Sequence, residues 1–108
     1  MTLKPILIDA SSVENGYTRL LSGPPQSVSM RSGKVVLQSG EAVGKHSTEE
    51  KEELIIILDG KGQFIFNNNH ILEFNSNSVL YCPPMTENNV SNTGSTPLRY
   101  IYVVAKAL

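Results

Sequence analysis

The chain has 108 residues, 40% of them hydrophobic and 18% charged, with a formal net charge of -1. That is enough for one domain with a real core, and it leaves no basic field to hold nucleic acid or an anionic membrane. The single cysteine, Cys82, excludes an internal disulfide and a cysteine-built zinc site. The longest apolar run, 54–58, is too short to span a bilayer, and the opening "MTLKPILIDASS" lacks the apolar core and cleavage site of a leader. A small cytoplasmic protein is the expectation.

Short apolar segments between turn residues predict an all-β domain. Strands are expected at 5–8 (PILI), 16–21 (GYTRLL), 27–30 (SVSM) and 34–38 (KVVLQ). Five more follow, at 53–58 (ELIIIL), 63–66 (QFIF), 71–74 (ILEF), 78–82 (SVLYC) and 98–104 (LRYIYVV). "NNN" at 67–69 reads as a hairpin tip, and Asp59-Gly60 ends its run as a hairpin would. "STEEKEELIIIL" opens like a capping box, with Ser47 three residues before Glu50, but three consecutive isoleucines disfavour a helix. A brief turn at 48–51 leading into a strand at 53–58 satisfies both signals. Glu49, Glu50, Lys51 and Glu52 are expected in a solvated turn, His70 exposed beside the hairpin tip, and Cys82 as a small buried filler. The isomer of the Pro83-Pro84 bond is left open.

Strand periodicity then places side chains. Thr48 would share a face with His46, and Glu53 with Ile55 and Ile57, turning Leu54, Ile56 and Leu58 outward. A histidine and a glutamate on neighbouring strands would meet inside a mostly apolar cup, a setting for a metal or for proton transfer. The outward leucines and isoleucine, with the two-faced apolar segment "RYIYVV", call for cover, and a homodimer is expected.

Residues 40–60 resemble the first cupin motif, G-x5-H-x-H-x4-E-x6-G: Gly40, His46, Glu53 and Gly60 fall on it, with Thr48 in place of the second histidine. Residues 77–92 resemble the second, G-x5-P-x-G-x2-H-x3-N: Pro83 and Asn92 agree, Asn77 and Met85 replace glycines, and Asn88 replaces the histidine. The resemblance covers about 35–104. It implies a single domain over 1–108 with the double-stranded β-helix, or jelly-roll, barrel of the cupin superfamily. It also implies that His46, Thr48, Glu53 and Asn88 stand where metal-binding cupins hold a divalent ion. Two of those four keep a ligand's chemistry. The resemblance therefore implies no tightly bound cofactor, and at most weak manganese, iron, nickel or zinc on His46, Glu53 and Asn88.

Three functions stay open on these grounds. The first is a binding module whose cup (His46, Thr48, Glu53, Asn88) holds a small-molecule ligand beside an eroded metal site. The second is an enzyme, either a metal-assisted oxygenase or a metal-free isomerase, with His46 and Glu53 as catalytic candidates. The third is a structural or sensory scaffold. Stoichiometric metal would favour the enzyme; a dry, packed interior would favour the scaffold.

Overall fold

The computed structural model describes residues 3–11 and 15–108. The stretch 1–12 read for a leader lies partly outside them, at positions 1, 2 and 12. Among the described residues there are nine strands: β1 (Gly16–Ser22), β2 (Arg31–Leu37), β3 (His46–Ser47), β4 (Lys51–Asp59), β5 (Gly62–Phe66), β6 (His70–Phe74), β7 (Val79–Cys82), β8 (Glu87–Asn92) and β9 (Leu98–Lys106). They form two antiparallel sheets, one in the order β1-β2-β9-β4-β7 and one in the order β3-β8-β5-β6. This is the all-β jelly roll that the motifs implied. Among the described residues no helix is long and apolar enough to cross a membrane.

Registered rows of inward side chains on the larger sheet explain where the core lies. Leu37 stands opposite Leu98, Val35 opposite Tyr100, and Tyr100 opposite Ile57. These residues pack with Phe64, Phe74 and Val90 of the smaller sheet into one buried cluster. Further along the same sheet the rows change character. Gly33 stands opposite Tyr102, Tyr102 opposite Ile55, and Val104 opposite Glu53, which in turn faces Cys82 across the next ladder. One end of the sandwich is therefore solid hydrocarbon. The other has a glycine, tyrosines and a carboxylate where side chains would otherwise fill it.

Several sequence expectations hold in detail. Ile55 and Ile57 are buried while Leu54 and Leu58 are exposed, as period-two alternation requires. The tip 67–69 joins β5 to β6 with all three asparagines at positive φ. Cys82 is buried, and His70 is exposed.

Others are corrected. Residues 5–8 are not a strand: they belong to an unpaired arm in which Leu7 is 98% exposed. Ala10 of that arm accepts a hydrogen bond from Lys34 Nζ (2.6 Å) on the outer face of β2. Residues 27–30 are not a strand either. Their polar groups bond locally, Ser27 N to the Gly23 carbonyl (3.3 Å) and Ser27 Oγ to the Met30 carbonyl (2.6 Å), in a loop that follows a cis Pro24-Pro25 bond.

Asp59-Gly60 does not close a hairpin, because β4 and β5 lie in different sheets. It is a corner. Gly60 is required there: its φ is +102°, and a Cβ would stand 2.9 Å from the Pro97 carbonyl oxygen and 3.0 Å from Leu98 Cα. The charged run also divides. Glu49 and Glu50 turn in solvent, while Lys51 and Glu52 already belong to β4, where Glu52 accepts a hydrogen bond from the Tyr81 hydroxyl (2.8 Å).

Candidate functional site

The open end of the sandwich encloses a cavity of about 360 Å³, and His46, Thr48, Glu53 and Asn88 all lie on its wall. His46 and Glu53 do not reach it from neighbouring strands as the alternation suggested. β3 pairs with β8 in the smaller sheet, with His46 directly opposite Asn88, whereas Glu53 comes from β4 in the larger sheet. The histidine and the carboxylate face each other across the cup.

His46 Nδ1 lies 2.8 Å from the Gly44 carbonyl oxygen. A carbonyl can only accept, so Nδ1 carries a proton there, and Nε2 is the ring nitrogen left without a protein partner. Burial raises the Glu53 carboxyl above its ordinary range, and the nearby His46 only partly offsets this. Thr48 is buried, and its hydroxyl is occupied: Oγ1 donates to the Pro83 carbonyl (2.7 Å) and accepts from Thr86 N (3.1 Å). Thr48 therefore ties the end of β3 to the loop before β8. Asn88 Nδ2 donates to the Thr86 carbonyl (3.1 Å), but Oδ1 is buried with no hydrogen-bond partner. An orphaned buried acceptor costs about 1–3 kcal/mol, so its retention calls for a reason.

Sequence reasoning missed the rest of the wall. Tyr17, Tyr100 and Tyr102 contribute aromatic surface, and Val35, Ile55 and Val90 contribute aliphatic surface. The Tyr102 hydroxyl donates to that of Tyr17 (2.9 Å), and their rings stack with centroids 6.1 Å apart. Gly33 makes room for the pair, since a Cβ there would lie 2.7 Å from a Tyr17 ring carbon and 2.8 Å from one of Tyr102. A signal for this existed in part: Tyr100 and Tyr102 are two apart on one strand and so share a face. That Tyr17 would lean over a glycine on the next strand to meet Tyr102 two strands away had no local signature.

The donor set does not fit a tightly held transition metal. Among the described residues no three His, Cys, Asp or Glu side chains gather where they could share an ion. Thr48 Oγ1 is already bonded, which leaves one imidazole nitrogen, one carboxyl and one amide oxygen.

The family model described as "Cupin domain" matches residues 33–104. No curated protein matches the chain. Similar solved structures include a Bacillus halodurans protein (18% identity, TM-score 0.84, covering 97% of this chain and 83% of that one). Another is an RmlC-like cupin family protein with a double-stranded β-helix fold from Methanocaldococcus jannaschii (18%, TM-score 0.78, 98% and 93%). The Schizosaccharomyces pombe Cnp3 cupin domain aligns over 83% of this chain, which spans 63% of that one (20% identity, TM-score 0.76). At these identities the likeness is one of fold.

Proposed function

This chain belongs to the cupin domain family, and on that premise we propose that its cup binds a small organic molecule directly, without a resident metal. The observation that carries this reading is the orphaned buried Oδ1 of Asn88, a residue on the wall of a cavity of about 360 Å³. A wall selected only for packing would place an apolar side chain there, because an unpaired buried acceptor destabilises the fold. Aromatic and aliphatic surface with a few convergent polar groups is the usual make-up of a small-molecule site. The experiment is amide-resolved NMR with a library of neutral, cationic and anionic fragments. Shifts confined to β3, β4, β8 and β9 support the reading, and uniform indifference of those amides refutes it.

A second reading, metal-free acid–base catalysis, draws on the Glu53 carboxyl raised by burial opposite the free Nε2 of His46. It requires that His46→Gln and Glu53→Gln abolish turnover of a molecule they still bind.

We also propose that the protein acts as a homodimer. Leu54, Leu58, Val79 and Tyr81 are exposed on the outer face of the larger sheet, and β7 is its free edge. Light scattering should report twice the chain mass, and Val79→Lys should shift it to one.

A further inference from the structure

Two acceptor groups, Asn88 Oδ1 and the Glu53 carboxyl, belong to residues on the cup wall. His46 Nδ1 is engaged with the Gly44 carbonyl, which leaves Nε2 without a protein partner. Asn88 Oδ1 is an acceptor with no donor aimed at it, in a side chain only 2% exposed. Glu53, when ionised, accepts only, and its burial leaves that charge poorly solvated. Thr48, which would have supplied a donor, sends its proton to Pro83. The charged wall leans the same way, with carboxylates at Glu49 and Glu53 against the single cation Lys51, and among the described residues no arginine lines it. A carboxylate or phosphate ligand would meet acceptors and a buried negative charge. The complement of such a wall is a group that carries several N–H donors and a positive charge.

The apolar part of the wall agrees. Three tyrosines, Tyr17, Tyr100 and Tyr102, contribute to the cavity. Their rings offer broad apolar surface for the hydrocarbon part of a ligand. Resting on the reading of the cup as a small-molecule site, we propose that its ligand is an organic ammonium ion, with the nitrogen held among His46, Glu53 and Asn88 and the hydrocarbon body against the tyrosines. The buried Oδ1 then takes one N–H, and Glu53 takes the charge and a second N–H.

Three near-isosteric probes test this on the intact protein: benzylammonium, benzyl alcohol and benzoate. They are titrated by amide NMR at a pH where the amine is protonated and Glu53 ionised. Benzylammonium should shift the amides around His46, Glu53, Ile55 and Asn88 and bind about tenfold tighter than benzyl alcohol, with benzoate weakest. Glu53→Gln should erase that preference. The wild-type comparison stands by itself if the variant folds poorly. Equal binding of the amine and the alcohol, a preference for benzoate, or a preference for the amine that survives Glu53→Gln would each overturn the ammonium assignment while leaving the cup a binding site. Silence of the cup amides to all three probes would instead defeat the small-molecule reading, and the assignment with it.

Discussion

Asn88→Leu separates a side chain kept for packing from one kept for a ligand. The two side chains branch at the same carbon, and the cavity beside residue 88 can take the added volume. The substitution removes one good bond, Nδ2 to the Thr86 carbonyl (3.1 Å), worth about 0.5–1.5 kcal/mol. It strands no acceptor, because the Thr86 carbonyl still receives Thr48 N–H at 3.1 Å. It also removes the unpartnered Oδ1, whose burial costs about 1–3 kcal/mol. The balance is a gain of about 0–2 kcal/mol, and in a domain of this size each kcal/mol moves Tm by about 4–8 °C. Thermal melts and urea titration of the ligand-free protein would measure it. A loss beyond about 1 kcal/mol would mean that Oδ1 is already satisfied, and the argument that it awaits a donor would fail.

Glu53→Gln should change how stability depends on pH. The fold raises this carboxyl's pKa, so it binds the proton more tightly than the unfolded chain, whose ordinary value is near 4.5. The wild type therefore has its full stability below that value and loses some as pH rises through the folded pKa, so melts of the two proteins should agree in acid and diverge in favour of the variant towards neutral. Thr48→His with Asn88→His should bind nickel or manganese more tightly than the wild type, seen by calorimetry and as a metal-dependent rise in Tm. Without metal the same double variant should be less stable by about 1–3 kcal/mol, because the Thr48 link to Pro83 and Thr86 is lost. Met85→Gly should gain about 0.5–1 kcal/mol by relieving a left-handed φ of 54°, whereas Met85→Ala, which keeps the strain, should not.

The fold was legible because its frame is written in spacing. Gly40, His46, Glu53 and Gly60 hold their intervals, and the apolar alternation of 53–58 orients the strand that carries Glu53. Met85 and Asn77 stand at motif positions normally taken by glycine, and both keep positive φ, 54° and 69°. The backbone has outlasted the residue type that eased it. What stayed illegible was long-range. Strand β8, "ENNVSN", reads as loop because two of its three buried members are asparagines. Asn92 is tolerable inside only because Nδ2 donates to the Leu37 and Thr96 carbonyls and Oδ1 accepts Gly94 N–H, each at 2.9 Å. In the opposite sense, "PILI" reads as strand but finds no ladder to join. The cup suffers from the same limit: that His46 and Glu53 face one another across two sheets depends on topology that spacing does not encode.

Cys82, the chain's only thiol, is Glu53's ladder neighbour, 1% exposed and with its pKa pushed up to about 11 by burial. Thiol reagents attack the thiolate, so in the closed molecule the sulfur is shielded twice, by inaccessibility and by its held proton. Labelling by a chromogenic disulfide can proceed only through molecules whose sheets have parted, which makes the reaction rate a native gauge of opening. Because Cys82 is paired in the ladder with Glu53 of the cup wall, an occupant that braces the two sheets would slow that clock. The protein thus carries its own reporter for ligand screening, needing neither a fluorophore nor an engineered site.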